Sequence, residues 1–360
     1  MPLTQERAWM EVDLAALSRN ARALSDRSGV PMIPMLKADA YGLGADRVAS
    51  ALENENVLAY GIATIEEGCE LRSAGIERDI LIFTPLLPDE LSRARDARLT
   101  PTLGCEREII DWSRFGARYH LSIDTGMARA GVPWREMTDA LDAVRRYPPE
   151  GAFTHFHSAE LDDGTMNQQE SRFREALAAL PARPKVIHTD ASAAIVRHGR
   201  SEWDAIRPGI FLFGVGSGRS AALQPEPVVH VRARVVEIRW IEAGDSVSYD
   251  ATYVAPSRRR IATIPIGYAD GIPRSLGNAG GAIVHGQFVP IVGVVTMDMI
   301  MLDVTDVHCD TGDVVTLLGR SKEGGLLEVE AVAAKARMSP YELLTGLRGR
   351  LSRHYVGLSA

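Results

Sequence analysis

The chain has 360 residues, of which 46% are apolar and 24% are charged, and its formal charge is −7. At about 150 residues per domain this length allows two domains that each bury a core, and the composition excludes a disordered chain. The mildly acidic balance, without a block of basic residues, argues against nucleic acid or an anionic membrane surface as a partner.

The N-terminal residues, the length of the apolar runs and the cysteines together predict the cellular compartment. Residues Met1 to Glu11 contain no apolar stretch typical of a secretory signal, and no apolar run approaches the roughly 18 residues of a membrane-spanning helix. Cys69, Cys105 and Cys309 are odd in number and far apart, which favours reduced thiols over a disulfide framework or a metal site. We therefore expect a cytoplasmic protein without a membrane partner.

The first 215 residues alternate short apolar runs with amphipathic stretches, after a predicted helix from Leu14 to Asp26. The eight runs are Met32–Lys37, Ala59–Thr64, Ile80–Thr84, Leu99–Leu103, Tyr119–Asp124, Gly151–Phe156, Lys185–Thr189 and Ile206–Phe213. Helical segments between them include Ala45–Glu55, Glu66–Ala74, Trp134–Arg146 and Asn167–Ala179. The pattern predicts an α/β fold, an eight-stranded (β/α)8 TIM-type barrel with its ligand site at the C-terminal strand ends. A doubly wound open sheet is the alternative, although no GxGxxG follows the first run.

The composition changes at the Gly/Ser-rich segment GVGSGRS, residues 214–220. Beyond it, long runs rich in Val, Ile and Thr are divided by Gly, Pro and Asp turns, and two helices are predicted near the end. The strand runs are Val228–Ile241, Arg260–Tyr268, Ala282–Ile291 and Met299–Val304, and the helices are Glu328–Ala336 and Pro340–Gly346. We expect residues 1–218 to form the barrel and residues 219–360 a β-rich C-terminal domain.

A lysine closes the first apolar run, in Met35-Leu36-Lys37-Ala38-Asp39. At the mouth of a barrel its amine would be partly desolvated, which lowers the pKa of a lysine and suits it to Schiff-base chemistry. A lysine that merely extends from a strand end to solvent is an equal alternative. Residue type alone does not choose between them.

The sequence MLKADAYGLG around Lys37 resembles the pyridoxal-phosphate (PLP) motif of alanine racemases. Further segments resemble that family in the same order along nearly the whole chain: WMEVDLAAL, IDTGMARAGV, FTHFHSAE, IRPGIFLFG, VSYDATY, IPIGYADG and VVTMDMIMLDV. The resemblance implies a barrel followed by a β-rich domain, PLP as cofactor, and interconversion of L- and D-alanine that supplies D-alanine for cell-wall peptidoglycan. It also implies a homodimer with composite active sites.

The resemblance assigns the two proton-transferring groups to Lys37, which also holds PLP covalently, and to Tyr249 of the partner chain. They would act on opposite faces of the substrate Cα. Without the resemblance, the favoured interpretation of Tyr249 is a tyrosine packed in a sheet with its hydroxyl at the rim.

Cofactor contacts follow from the same resemblance. Arg207 would face the pyridine nitrogen of PLP and keep it unprotonated, since a guanidinium is not deprotonated in proteins, and His155 would lie beside the ring. The phosphate contacts would be Tyr41, Ser192, the amides of Gly209 and Ile210, and Tyr355. Ser192 and Tyr355 have ordinary alternatives, a helix cap and a surface aromatic residue.

The resemblance places the substrate carboxylate near Arg129 and near Met297 and Asp298 of the partner chain. His155 and His157 share a strand face and could in principle bind a metal, but no carboxylate or cysteine is spaced to complete such a site. We therefore predict no metal.

Four positions depart from the family pattern: Ser122, Ala191, Phe213 and Thr296. At the position of Ser122, many members of the family have a modified lysine that orients the equivalent of Arg129. These departures leave the substrate range open. Alternatives to an alanine racemase are a racemase of other amino acids such as serine, a decarboxylase or aldolase on the same barrel, and a non-catalytic PLP-binding protein. The β-rich domain with Tyr249 and Met297 argues against the last.

Overall fold

The structure is a computed structural model that describes residues 6–218, 221–347 and 349–357. Its strands are β1 (Ala8–Asp13), β2 (Tyr60–Ile62), β3 (Ile80–Ile82), β4 (Thr100–Leu103), β5 (His120–Asp124), β6 (Val132–Pro133), β7 (Gly151–Phe153), β8 (Val186–Ala191), β9 (Ala205–Arg207), β10 (Val229–Arg234), β11 (Glu237–Ile241), β12 (Ser246–Val247), β13 (Tyr253–Val254), β14 (Arg259–Ile264), β15 (Gly281–Val284), β16 (Gln287–Pro290), β17 (Ile300–Asp303), β18 (Val314–Arg320), β19 (Leu326–Leu327) and β20 (Ser352–Val356).

The helices are α1 (Leu14–Ser28), α2 (Lys37–Gly42), α3 (Ala45–Leu52), α4 (Ile65–Ser73), α5 (Leu91–Asp96), α6 (Glu106–Ser113), α7 (Thr138–Arg146), α8 (Thr165–Ala178), α9 (Ser192–His198), α10 (Val329–Ala336) and α11 (Pro340–Gly346), with 3₁₀ turns at Tyr249–Ala251, Tyr268–Asp270 and Arg274–Leu276. No helix in the described ranges is long and apolar enough to cross a membrane.

The predicted barrel is confirmed. Strands β2, β3, β4, β5, β7, β8 and β9 lie side by side in parallel. The segment around Met32 closes the ring, because Met32 bridges both Val57 and Ile206 in parallel. This first segment is not a regular strand, since Pro31 and Pro34 have no amide hydrogen to donate to a neighbouring strand.

The second half is rich in strands, as predicted. A sheet of order β16-β15-β18-β10-β1-β20, with β19 beside β18, is accompanied by a three-stranded sheet β11-β14-β17 and the pair β12-β13. Strand β1 belongs to this half, antiparallel to β10 and parallel to β20, although it precedes the barrel in the chain. The division at residue 218 stays a prediction, and residues 219 and 220 of the Gly/Ser-rich segment lie outside the described ranges.

The two halves meet beside the barrel mouth. Helix α11 of the second half packs on α2, and a Cβ at Gly42 would lie 2.9 Å from the Leu344 carbonyl oxygen. Gly42 also has φ +89°, a conformation that favours glycine. The close approach brings a helix of the C-terminal half to the place where the barrel strands end.

Candidate active site

A cavity of about 390 Å³ opens at the C-terminal mouth of the barrel. Eight of the residues singled out in the sequence line it: Lys37, Tyr41, Arg129, His155, Ser192, Arg207, Gly209 and Ile210. They come from the ends of different strands and from the loops that follow, which is where a barrel of this kind assembles a site.

Lys37 does not close a strand but begins α2, a short left-handed turn. Residues Ala38, Asp39, Ala40 and Tyr41 all have positive φ, between 51° and 58°. For residues with a Cβ this conformation costs roughly 1–2 kcal/mol each, so the surrounding contacts must hold it. One of them is the Asp39 carboxylate, which accepts the Ala45 amide at 2.8 Å and pairs with Arg353 at 2.6 Å.

The surroundings of Lys37 change the pKa of its amine. Water reaches it through the open cavity, but the barrel wall desolvates it, and this burial together with the Arg129 charge lowers the pKa of Lys37. Glu67 opposes the shift. A lowered pKa raises the fraction of neutral amine, the form that attacks a carbonyl or accepts a proton.

Arg207 lies fully within the barrel mouth and is held by acceptors on β8 and on the segment that follows β7. Its terminal nitrogens donate to the carbonyl oxygens of Thr154 (2.7 Å) and Thr189 (3.0 Å) and to Nδ1 of His188 (2.9 Å) and of His155 (3.2 Å). Burial lowers the pKa of Arg207 to about 9, which leaves it cationic at neutral pH.

These contacts determine where the neighbouring imidazoles carry their protons. A guanidinium only donates, so Nδ1 of His188 accepts and its Nε2 carries the hydrogen. That Nε2 lies 2.8 Å from Nδ1 of His120, which must then accept in turn. Burial lowers the pKa of His120 and of His155 to about 3 and that of His188 well below its usual value. The chain of contacts therefore carries one positive charge, on Arg207.

At the opposite side of the cavity, Tyr41 and Ser192 surround the backbone at Gly209. A Cβ at Gly209 would lie 2.6 Å from the Tyr41 hydroxyl, so only glycine permits this approach. Ser192 Oγ accepts the amides of Gly209 (3.0 Å) and Phe211 (3.3 Å). The Gly209 amide is thus occupied, whereas the Ile210 amide and the Tyr41 hydroxyl form no hydrogen bond within the described residues.

Arg129 lies on a loop that Asp124 stabilises. The Asp124 carboxylate accepts hydrogen bonds from the amides of Gly126 at 2.9 Å and Ala128 at 3.1 Å. Ser122, at the departure noted in the sequence, also lines the cavity. Neither the Arg129 guanidinium nor the Ser122 hydroxyl forms a hydrogen bond to the described part of the chain. Arg129 is therefore a cation available to a ligand carboxylate or phenolate.

The other departures have identifiable contacts. Phe213 is buried and its ring centroid lies 4.8 Å from that of Tyr41. Ala191 lines the cavity. Thr296 Oγ1 donates to the Met299 carbonyl at 2.9 Å and accepts the Met299 amide at 3.0 Å, which closes the loop that carries Met297.

Four of the predicted site residues lie away from the cavity of their own chain. The Tyr355 hydroxyl donates to the Leu43 carbonyl at 3.0 Å, because the pairing of β20 with β1 places Tyr355 beside the exit of the left-handed turn. Tyr249, Met297 and Asp298 are exposed, with 69% and 52% of Tyr249 and Met297 accessible. Their segments adjoin, since Ser248 Oγ donates to the Val294 carbonyl at 2.8 Å.

Sequence reasoning missed Tyr341 and Glu67. Tyr341 of α11 lines the cavity, with its ring centroid 6.0 Å from that of Tyr41, and nothing in the local sequence marks it. Glu67 accepts the amide that follows Lys37. The position of Glu67 three residues after Thr64 is typical of a helix cap, a signal that the sequence analysis did not use and that does not indicate the contact with Ala38. His157 hydrogen-bonds Ser158, and no metal-binding group of three His, Cys, Asp or Glu occurs among the described residues.

The donors present match the chemistry of PLP. An amine with a lowered pKa suits the aldehyde, the cation of Arg207 suits an unprotonated ring nitrogen, and the free Ile210 amide and Tyr41 hydroxyl suit phosphate oxygens. The cavity of about 390 Å³ leaves room for such a group. The residues therefore fit this cofactor.

Residues 12–217 match the family description "Alanine racemase, N-terminal domain" and residues 228–355 match "Alanine racemase, C-terminal domain". The chain is similar to the alanine racemase of Geobacter sulfurreducens, with 38% identity over 374 residues that cover 97% of both proteins, and to that of Citrifermentans bemidjiense, with 37% identity over 97% and 98% of the two.

Solved structures agree. The alanine racemase from E. faecalis superposes with a TM-score of 0.91 at 28% identity over 98% of each chain. The alanine racemase from Bartonella henselae, a structure with covalently bound pyridoxal phosphate, superposes with a TM-score of 0.90 at 29% identity over 98% of this chain and all of that one. The chain therefore belongs to the alanine racemase family, whose members are PLP-dependent isomerases of amino acids.

Proposed function

We propose that this protein is an alanine racemase that interconverts L- and D-alanine with PLP held at Lys37. The observation that carries the proposal is a single cavity that combines a lysine of lowered pKa, the buried cation of Arg207, and Arg129, which has no hydrogen-bond partner among the residues that the structure describes. A bound PLP withdraws electrons from the substrate Cα and makes its proton acidic. We further propose that the enzyme is cytoplasmic, since its cysteines are free thiols, and that it supplies D-alanine for peptidoglycan.

Each of the site residues has a distinct role in this reaction. Lys37 Nζ binds the cofactor and moves the proton on one face of the substrate Cα. Arg129 attracts the substrate carboxylate. The Tyr41 hydroxyl and the Ile210 amide donate to the phosphate, and Ser192 fixes the backbone that bears this amide. Arg207 would face the pyridine nitrogen, and because a guanidinium would release no proton to that nitrogen, it would restrain side reactions.

The second proton-transferring group is Tyr249 of a partner subunit. Proton exchange with inversion needs a group on each face of Cα, and Lys37 supplies only one. Tyr249, Met297 and Asp298 lie on exposed, adjoining segments of their own chain, so they are available to a neighbour. Tyr268 and Met299 add further exposed apolar area to the same region, which favours a second copy as its occupant.

The test of the reaction uses Lys37→Ala and, as a matched control, Lys185→Ala at an exposed lysine. The parent protein is reconstituted with PLP, reduced with borohydride and mapped by mass spectrometry, and racemisation is followed by entry of solvent deuterium at Cα of L-alanine. We expect the label on Lys37, loss of exchange in Lys37→Ala and parental exchange in the control. A label on another residue, or parental exchange in Lys37→Ala, would disprove the proposal.

The test of the composite site mixes two inactive variants. A dimer of Lys37→Ala and Tyr249→Phe chains has one site with both groups intact, so we expect activity to return when the subunits exchange. A mixture in which mass spectrometry shows heterodimers but no activity returns would show that the second group does not come from the partner.

A further inference from the structure

The amide that follows the reactive lysine is held by a side chain from another part of the barrel. The Ala38 N–H donates to Glu67 Oε1 at 2.6 Å. Ala38 is the first of the four residues with positive φ, so this contact lies at the start of the left-handed turn. Glu67 thus touches the chain directly beside Lys37.

Glu67 is itself rigidly placed. It lies in the first turn of α4, where its Oε2 accepts the amides of Ala63 at 2.7 Å and Thr64 at 3.2 Å. Its own amide donates to Thr64 Oγ1 at 3.3 Å, which completes a capping box. The end of β2 and the start of α4 therefore fix the carboxylate that holds Ala38.

These contacts demand a carboxylate. Three backbone N–H groups point at the two oxygens of Glu67, and an ionised carboxylate is an acceptor at both. A glutamine of the same shape would direct its own N–H groups at one of these donors, and the turn or the cap would lose its acceptor. The Glu67 charge also faces the Lys37 amine, together with the positive Arg129.

The far end of the turn has its own support. Asp39 holds the Ala45 amide and Arg353, and Tyr355 donates to the Leu43 carbonyl. The two Asp39 contacts start from the second of the four residues with positive φ, and the Tyr355 contact lies beyond them at Leu43. The backbone also holds the start of the turn, since the Leu36 amide donates to the Gly61 carbonyl at 2.7 Å and the Ala40 amide donates to the Leu36 carbonyl at 2.8 Å. Glu67 adds a side-chain contact at Ala38, directly after Lys37.

We propose that Glu67 is a positioning residue: its carboxylate holds the left-handed turn that presents Lys37 to the cofactor. The proposal rests on the proposed function, in which Lys37 binds PLP. It predicts that loss of this carboxylate loosens the turn and weakens PLP capture, beyond any effect on the helix cap.

The experiment compares Glu67→Gln with Thr64→Ala, which removes the cap hydroxyl but keeps the Ala38 contact. PLP affinity is measured by absorbance titration, amide hydrogen exchange is measured over residues 37–44, and thermal unfolding is recorded. We expect Glu67→Gln to raise the PLP dissociation constant and the exchange rate by about tenfold or more, as for loss of a hydrogen bond to a charged acceptor. Thr64→Ala should lower the thermal stability but change both other quantities by less than about twofold.

Parental PLP affinity and exchange in Glu67→Gln, or equal changes in the two variants, would overturn the inference and leave Glu67 as a helix cap. If Glu67→Gln fails to fold, Glu67→Asp provides the same readouts, because it keeps the carboxylate but shortens its reach, and parental values in that variant overturn the inference equally. Borohydride mapping of the parent separates the two proposals: a label away from Lys37 contradicts the proposed function itself.

Discussion

Burial keeps three histidine rings in the barrel uncharged near neutral pH. Burial lowers the pKa of His120 and His155 to about 3, and that of His188 strongly as well, whereas an unfolded histidine has a pKa of about 6.5. Below pH 6.5 the unfolded chain therefore binds protons that the folded chain does not. The contribution of the uncharged rings to the free energy of unfolding is therefore fully present above pH 6.5 and is lost as the pH falls towards 3.

We accordingly predict that the free energy of unfolding decreases between pH 6.5 and 5, by up to about 1.4 kcal/mol per pH unit for each histidine. Carboxyl groups titrate mainly below this window. His120→Gln should reduce the slope, while His308→Gln, at a side chain that is 84% accessible, should not. The check is urea denaturation at several pH values with fixed protein and PLP concentrations. An unchanged slope in His120→Gln would contradict the assignment.

Because Tyr41 closely approaches Gly209, we predict that substitutions at these two positions have non-additive effects on the free energy of unfolding. In Gly209→Ala the new Cβ would lie 2.6 Å from the Tyr41 hydroxyl, and Tyr41 cannot easily move because its ring packs against Phe213. We expect a loss of about 1–3 kcal/mol in unfolding free energy. The nearest ring carbon of Tyr41 would lie 3.4 Å from the new Cβ. Gly209→Ala should therefore lower the free energy of unfolding by less when the hydroxyl is removed in the Tyr41→Phe variant.

The measurement is a double-mutant cycle of the four proteins by chemical denaturation, with an expected coupling of about 1 kcal/mol or more. Additive effects would show that the methyl group introduced by Gly209→Ala is accommodated without contact to the Tyr41 hydroxyl. Tyr41→Phe alone should also weaken PLP binding, since it removes the hydroxyl that we propose as a phosphate donor.

How well the sequence predicts site residues depends on what marks them. Lys37, Arg129 and Arg207 stand in sequence motifs, and the structure brings them together in the cavity. Tyr341 carries no such mark, because only the packing of α11 on α2 brings it to the cavity. A helix cap such as Glu67 is visible in the sequence, but its contact with Ala38 depends on how a distant strand end is placed.

At the scale of an element, the left-handed turn has a measurable energetic signature. Glycine adopts positive φ without the steric cost that alanine pays. Ala38 is exposed at φ 53°, so Ala38→Gly should raise the free energy of unfolding by about 0.5–1 kcal/mol. Ala334→Gly, at an exposed site within the right-handed helix α10, should lower it by about 1 kcal/mol. Chemical denaturation of both variants checks the opposite signs, and equal signs would contradict the turn.

Element boundaries that depend on distant partners were the least predictable. The apolar run from Val228 to Ile241 has no turn residue, yet the chain changes sheets within it: Val235 bonds the Asp313 carbonyl and Val236 that of Thr263. Strand β1 pairs with segments far along the chain. The barrel was predictable because its apolar runs and helices alternate locally, and Pro31 and Pro34 contribute to the irregularity of its first strand.

At the scale of the whole molecule, Arg350 ties together the surface that we assign to the partner's active site. It pairs with Asp270 at 2.9 Å and with Asp298 at 2.6 Å. Asp270 is buried and also accepts the Gly267 amide, while the Tyr268 and Ala269 amides bond the carbonyls of Thr296 and Met297. Arg350 therefore fixes the loop that bears Met297 and Asp298 to a buried anchor.

In the proposed dimer this loop serves the neighbouring site, so the effect of Arg350→Ala should depend on which chain carries it. In a heterodimer of Lys37→Ala and Tyr249→Phe chains, the intact site takes Lys37 from the Tyr249→Phe chain and the loop from the Lys37→Ala chain. We expect Arg350→Ala to lower alanine racemisation by about tenfold or more when it is placed on the Lys37→Ala chain, through loss of a charge-assisted contact. On the Tyr249→Phe chain it should leave activity within about twofold, since the inactive site alone receives that loop. Equal losses from both placements would show that Arg350 acts on its own subunit, and the loop would then have no role across the interface.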